Sequence, residues 1–110
     1  MAALPTQTLA VAGTAPTFGA TSASDTAEIG NGSNTFAVYR NSTGSPIVVT
    51  AVQPGNDDYG TAKADPTFSV AASGGERWIP LRKSLDDGTG RATLTGGGDV
   101  GLTVAVVRVA

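Results

Sequence analysis

The chain contains no histidine and no cysteine among its 110 residues. Without histidine it has no side chain whose unperturbed pKa lies near neutrality, and without cysteine it has neither a thiolate nucleophile nor a soft metal ligand. The groups left for chemistry are nine carboxylates, seven lysines and arginines, two tyrosines and many hydroxyls, and none is spaced as a recognisable active site. We therefore expect a protein that is not an enzyme and that uses no cofactor or metal.

Two acidic pairs, Asp57-Asp58 and Asp86-Asp87, are the nearest approach to a metal site. A calcium loop of the EF-hand type needs acidic or amide side chains at alternate positions and a terminal glutamate, and neither pair has that spacing. We interpret both pairs as polar turn residues that keep surface loops in water.

Positive charge is scarce, since the formal net charge is −2 and Arg82-Lys83 is the only adjacent basic pair. Nucleic-acid binding would require clustered lysine and arginine, so no nucleic-acid partner is expected. The first 24 residues carry no charged side chain, but Pro5, Gly13 and Pro16 interrupt their apolar stretch, so they predict neither an export signal nor a membrane helix. With no cysteine, folding in a reducing cytoplasm is expected.

What the chain does contain is a series of short runs rich in alanine, valine and threonine, separated by glycine and proline. Several runs alternate at period two and none has a helical period, which predicts an all-β protein. The predicted strands are residues 35–41, 46–53, 67–71, 76–81, 91–95 and 101–109. We expect a single-domain β-sandwich or small barrel over residues 25–110, with about seven to eight mostly antiparallel strands. An extended N-terminal arm, residues 1–24, precedes it and has one short strand at 6–11.

The arrangement of these strands follows from their flanking residues. We expect Phe36 and Val38 to face the core, and the loops 41–45 and 71–75 to close two antiparallel hairpins. Proline cannot donate to a ladder, so Pro80 places its strand at a sheet edge or ends it there.

The last strand, residues 101–109, is apolar on both faces. It is therefore predicted to be central or covered by a neighbour. A single helical turn is expected within residues 80–87, because Leu81 and Leu85 are four positions apart.

Candidate interface residues lie in the arm and in one strand. An uncharged arm either packs along its own domain or lies across a neighbouring subunit. Trp78 shares a strand face with Glu76 and Pro80, which favours a half-exposed interface residue over a plug between two sheets, although both interpretations stay open. The candidate interface residues are Leu4, Leu9, Val11, Phe18 and Trp78.

Five segments follow one another in a distinctive order: LPTQTLAVAGTAPTF, NTFAVYRN, PIVVTAVQPG, TFSVAASGGERWIPL and GLTVAVVRV. In this order the chain resembles the small minor capsid or head decoration proteins encoded near the major capsid gene in tailed phages of actinobacteria. The resemblance implies a β-sandwich or small barrel that binds the outer surface of an assembled capsid as a homo-oligomer, with a trimer favoured. It implies the major capsid protein as partner, synthesis in the bacterial host cytoplasm, a final location on the virion, and no catalytic residues.

Two alternatives remain open at this point. A head-to-tail connector or tail component has similar size and β content. A carbohydrate- or cell-surface-binding module would be indicated if Trp78 and either Tyr39 or Tyr59 lined one exposed groove.

Overall fold

The structure, a computed structural model, describes residues 2–96, 98 and 100–109. Within them lie ten β-strands and one 3₁₀ turn, Lys83–Leu85. The strands are β1 (Ala2–Ala3), β2 (Thr6–Thr8), β3 (Gly19–Ala20), β4 (Ser24–Glu28), β5 (Thr35–Asn41), β6 (Ile47–Ala51), β7 (Thr67–Val70), β8 (Gly75–Pro80), β9 (Arg91–Thr95) and β10 (Leu102–Arg108). The prediction of an all-β protein is confirmed. In the described part of the chain no helix is long and apolar enough to span a membrane.

The strands form two sheets that pack face to face as a β-sandwich. The first sheet has the order β1-β4-β9-β6-β7, and the second has the order β2-β10-β5-β8 with β3 also paired to β10. All pairs are antiparallel except β1 with β4 and β2 with β10, which are parallel. The strand predicted to be central, β10, has neighbours on both edges, and β8 is an edge strand that ends at Pro80. Both predictions are confirmed, as is the single helical turn near Leu85.

The core between the sheets is built from small and branched side chains, as the composition leads one to expect. Tyr39 is the largest side chain that is fully buried there, and it packs among alanine, valine, leucine and isoleucine. The first sheet contributes Ala27, Val49, Ala51, Val70, Ala92 and Leu94, and the second contributes Ala37, Tyr39, Ile79, Leu102, Val104 and Val106. Burial of this apolar area is the main force that holds the two sheets together.

The predicted core face of β5 is wrong. Ala37 and Tyr39 point inward to the first sheet, whereas Phe36 and Val38 lie on the outer face. Val38 is nevertheless buried, because the arm covers that outer face with Leu9. Since both faces of β5 are covered, alternation along the strand did not reveal which face meets the other sheet.

Both predicted hairpins are also wrong, because each loop crosses from one sheet to the other. The loop after β5 leads to β6 in the first sheet, and the loop after β7 leads to β8 in the second. The two crossings meet at Asn41, whose buried side-chain amide donates to the carbonyl oxygens of Ser45 and Val70 at 2.8 and 3.1 Å. The side-chain oxygen of Asn41, Oδ1, accepts from the Thr43 backbone N–H at 2.9 Å and from the Thr43 hydroxyl at 2.6 Å. This side chain ties the corner between the sheets.

Residues 2–24 pack along their own domain and contribute to both sheets. β1 extends the first sheet beside β4, and β2 extends the second sheet beside β10. The chain therefore passes from the first sheet to the second at Leu4 and Pro5, along one edge of the sandwich. The structure therefore has three short strands in residues 2–20, where the sequence predicted one at 6–11. It also places a strand at Ser24–Glu28 that the sequence did not predict.

Candidate functional site

A half-exposed group of aromatic and ring side chains lies on the outer face of the second sheet. Across the β5–β8 pair, Val38 stands opposite Trp78 and Phe36 stands opposite Pro80. The Phe36 and Trp78 rings meet edge to face with centroids 6.2 Å apart. Trp78 is 53% exposed, so it is not a plug between the sheets. We refer to Phe36, Trp78 and Pro80 as the aromatic patch.

The rim of the aromatic patch is polar. Arg40 and Glu76, which are opposite each other in the β5–β8 register, form an exposed ion pair with Nε to Oε1 at 3.4 Å. The Arg40 guanidinium also lies 4.2 Å from the centroid of the Phe18 ring. Exposed ion pairs contribute little stability. The stacking on an aromatic face fixes the direction of the arginine and joins the rim to the arm.

The candidate interface residues of the arm have different surroundings. Leu4 packs against the main core, and Leu9 and Phe18 pack against a second small cluster formed by Val38, Ala105 and Val107 on the outer face. Val11 is fully exposed at the arm's turn. The structure thus leaves Val11 and Trp78 at the surface, and it uses the other three candidates largely for packing within the domain.

The acidic pairs form the turns of surface loops. One Asp57 carboxylate oxygen accepts from the backbone N–H groups of Tyr59 and Thr61 at 2.9 and 3.0 Å. This is the hydrogen-bonding pattern of an Asx turn. Among the described residues, no three histidine, cysteine, aspartate or glutamate side chains come together in an arrangement that would hold a metal ion.

The second acidic pair has the same local role. Asp86 accepts from the backbone N–H groups of Gly88 and Gly90, each at 2.9 Å. The hydroxyl and then the backbone N–H of Thr89 hydrogen-bond to Asp87, and these bonds lower the pKa of that carboxyl group. Each acidic side chain therefore stabilises the local loop conformation.

One carboxylate and one phenol are buried in the sandwich. Asp25 is 1% exposed and accepts from the backbone N–H of Ser22 at 3.1 Å and from the Ser22 hydroxyl. Burial, and then the charge of Asp25, raise the pKa of Tyr39. The phenol is neutral over the physiological range. Asp25 thus holds the start of β4 through Ser22, and Tyr39 fills the core.

An ion cluster at one end of the sandwich joins residues far apart in sequence. Glu28 lies between Arg108 at 3.3 Å and Arg91 at 3.8 Å, and the three line an open depression of about 370 Å³. Arg91 also donates to the carbonyl oxygens of Thr26 at 3.0 Å and Leu4 at 3.4 Å. The sequence held no signal for this cluster, because it depends on the register that places Glu28 opposite Arg91. Because Arg91 bonds the Leu4 carbonyl oxygen, the cluster holds the arm against the end of the sandwich.

A carbohydrate groove built on tyrosine and tryptophan does not match this arrangement. Tyr39 is buried in the core. Tyr59 is exposed in the loop between β6 and β7 of the first sheet, whereas Trp78 lies on the second sheet. The partner of Trp78 is Phe36, which sequence reasoning had placed in the core.

Comparison of the chain with protein-family models, with curated protein sequences and with solved structures gives no match. The resemblance to phage decoration proteins therefore stays a prediction.

Proposed function

We propose that this chain is a non-enzymatic structural protein of a virion, a decoration protein that binds the outer surface of an assembled phage head. The aromatic patch is the surface we assign to the major capsid protein. The observation that carries the proposal is the half-exposed Trp78, packed on Phe36 and bordered by the Arg40–Glu76 ion pair. An aromatic anchor inside a polar rim is the usual anatomy of a protein–protein hot spot.

The scaffold supports this role. The patch lies on strands β5 and β8 of the second sheet, so its side chains are held by the sheet ladder and little conformational entropy is lost when a partner covers them. A structural protein that occupies many symmetric positions gains its attachment from repeated weak contacts. The order of sequence segments described above is the second support, since it resembles that of decoration proteins over nearly the whole chain.

The charge of the chain is in accord with a position outside the packaged genome. The formal net charge is −2, and two of the seven basic residues, Arg91 and Arg108, are taken up by Glu28. Such a surface has no electrostatic attraction for DNA phosphates.

Binding to gradient-purified heads that lack this protein tests the proposal. Trp78→Ala should weaken binding by about tenfold or more, as truncation of a hot-spot aromatic does. Tyr59→Ala is the matched control, because it removes an exposed aromatic ring from the loop between β6 and β7 and should leave binding unchanged. Equal binding by wild type and the Trp78 variant would contradict the assigned surface.

The copy number of the chain relative to the major capsid protein tests the role itself. A ratio near one to one, or a simple symmetric fraction of it, supports decoration. A dozen or fewer copies per particle would contradict it in favour of a connector or tail component. Absence from particles, together with quenching of Trp78 fluorescence by a host polysaccharide, would indicate a carbohydrate-binding module instead.

A further inference from the structure

The loop between β4 and β5 contains an asparagine that is followed directly by a glycine, Asn31-Gly32. The other asparagines, Asn34, Asn41 and Asn56, each precede a residue that carries a β-carbon. Asn31 is exposed, and no β-carbon shields the backbone nitrogen of Gly32. At this position the main chain can therefore approach the side-chain amide of its own asparagine.

The side chain of Asn31 is folded forward over the peptide that follows it. Its Oδ1 accepts from the Ser33 backbone N–H at 2.9 Å and from the Ser33 hydroxyl at 3.0 Å. Because a backbone N–H can only donate, the atom that it meets is the amide oxygen and not the amide nitrogen. This Asx turn directs the amide carbon, Cγ, toward the Gly32 peptide.

The two hydrogen bonds on Oδ1 raise the reactivity of Cγ. When a nucleophile adds to Cγ, negative charge develops on Oδ1, and donors already aimed at that oxygen stabilise the charge. The nucleophile here is the Gly32 nitrogen, whose N–H donates to the Ile29 carbonyl oxygen at 3.0 Å. The need to break this single bond slows the attack by about tenfold at most.

A second loop has the same turn with a different electrophile. In Asp87-Gly88-Thr89, a carboxylate oxygen of Asp87 accepts from the Thr89 hydroxyl and from the Thr89 backbone N–H, and a glycine lies between them. The hydroxyl and then the backbone N–H lower the pKa of Asp87, so this side chain stays ionised. A carboxylate resists attack by a backbone nitrogen, because its carbon already carries two oxygens that share a negative charge. The Asp87 loop is thus an internal control that has the turn without the amide.

We infer that Asn31 is a self-modification site, at which the chain converts its own asparagine into aspartate and isoaspartate through a cyclic imide. The inference rests on the contacts of Asn31, Gly32 and Ser33 within one chain. It does not depend on the proposed capsid binding.

The reaction needs water as its only co-reactant, and nothing is oxidised or reduced. Hydroxide takes the proton of the Gly32 N–H, and the nitrogen lone pair forms a bond to Cγ of Asn31 as the carbonyl opens to an oxyanion on Oδ1. When the oxyanion collapses, the bond from Cγ to Nδ2 breaks. The amide nitrogen takes a proton from water, which restores the hydroxide, and leaves as ammonia. Water then opens the imide at either carbonyl carbon, which gives aspartate or isoaspartate.

The modification changes one end of the sandwich. The loop is bonded to the chain just before β9, since the Ile29 N–H donates to the Gly90 carbonyl oxygen at 3.1 Å. Gly30, the neighbour of Asn31, lines the depression of the ion cluster together with Glu28. Aspartate at position 31 adds a negative charge at this end, and isoaspartate also adds a methylene to the main chain.

Incubation of the folded protein at mildly alkaline pH, followed by ion-exchange chromatography and peptide mapping by mass spectrometry, is the measurement. We expect an acidic form to accumulate and its modification to map to Asn31 as a mixture of aspartate and isoaspartate. Asn31→Gln should abolish this form, because the longer side chain cannot close the same ring. Asn56→Gln is the matched control, since Asn56 is also exposed, and it should leave the rate unchanged.

The contribution of Ser33 needs its own variants. Ser33→Ala removes one of the two hydrogen bonds on Oδ1, so it should slow the reaction about two- to tenfold in the folded protein. Ser33→Thr keeps a hydroxyl and should restore the wild-type rate. In guanidinium chloride, where the turn is lost, all three chains should react at the same rate. Circular dichroism in buffer checks that each variant is folded.

Three results would overturn the inference: no acidic form from the folded wild type while the unfolded chain converts, an acidic form that persists in Asn31→Gln, or equal rates for folded wild type and folded Ser33→Ala. Isoaspartate that formed at Asp87 as fast as at Asn31 would also contradict it, because the Asp87 loop lacks the amide. The reaction is followed without phage heads, so its failure and a failure of the proposed function are distinguishable.

Discussion

Replacement of Asn41 by alanine tests whether this side chain ties the two sheets. Asn41 is 0% exposed and makes four hydrogen bonds to the crossing loops and to β7. The substitution removes two donors and one acceptor at once. The Thr43 hydroxyl also reaches the Ser45 carbonyl oxygen, at 2.8 Å, whereas the buried carbonyl oxygen of Val70 receives its side-chain bond from Asn41.

The size of the effect follows from which groups water can reach. Water can replace the bonds to Ser45 and Thr43, which lie near the surface, at little net cost. The Val70 carbonyl, which stands opposite Ile47 in the β6–β7 register, loses its side-chain bond in the interior, where water does not replace it, and loss of such a buried bond costs about 1–3 kcal/mol. With the small cavity added, we expect a loss of about 3 kcal/mol in the free energy of unfolding. For a domain near this size, that lowers Tm by roughly 10–20 °C.

Urea denaturation followed by circular dichroism measures this loss. Asn31→Ala is the control, because Asn31 is exposed and its side-chain oxygen accepts from the Ser33 N–H and hydroxyl at 2.9 and 3.0 Å. The control should change the free energy of unfolding by less than about 1 kcal/mol. If the two variants lost equal stability, the assignment of Asn41 as the tie between the sheets would be refuted.

Three further predictions concern the glycine at the start of β8, the buried tyrosine and the arm. Gly75→Ala should destabilise the fold by about 1–3 kcal/mol in urea denaturation, because its β-carbon would overlap the Ala71 carbonyl group, whereas Gly44→Ala meets open space and should be nearly neutral. Equal effects would contradict the packing at Gly75. In a Tyr59→Phe variant, Tyr39 is the remaining tyrosine and its raised pKa means that the unfolded state loses its proton first, so stability falls as pH rises above about 10. Phenolate absorbance at 295 nm should therefore appear together with loss of the circular dichroism signal, and reversible ionisation near pH 10 in a folded protein would refute the burial. Deletion of residues 1–15 should lower Tm sharply, since it removes β1, β2 and the contact of Leu9 with the second cluster; an unchanged Tm would show that the arm adds nothing to the fold.

The sequence was informative about strands and uninformative about their partners. Alternation at period two located six strands, and Pro80 marked an edge, because both signals are local. The residues after Asn41 carry the composition of a tight turn, but the same residues serve a crossing between sheets when a buried amide holds the corner. Turn composition alone does not distinguish the two. β4 was missed because its sequence, Ser-Asp-Thr-Ala-Glu, is mostly polar and forms a strand through its pairing with β1 and β9.

The sequence indicated only part of the candidate site, because it does not show which outer side chains the arm covers. Trp78 was identified from its face on the strand, but Phe36 was assigned to the core because the sequence does not show what covers each side of β5. The ion cluster of Glu28, Arg91 and Arg108 was out of reach, since it joins three strands whose register only the fold sets.

The outer face of the second sheet shows why the aromatic patch stands apart from ordinary surface hydrophobics. The face is apolar from β10 to β8, through Ala105 and Val107, then Phe36 and Val38, then Trp78. The arm buries the part over β10 and β5 with Leu9 and Phe18, and it stops short of β8. Burial of an aromatic side chain is worth about 1.5–3 kcal/mol. A partner that covers the exposed side chains on β8 would therefore gain this free energy on binding. Arg40, which stacks on Phe18 and pairs with Glu76, marks the boundary between the part that the chain covers itself and the part that it leaves open.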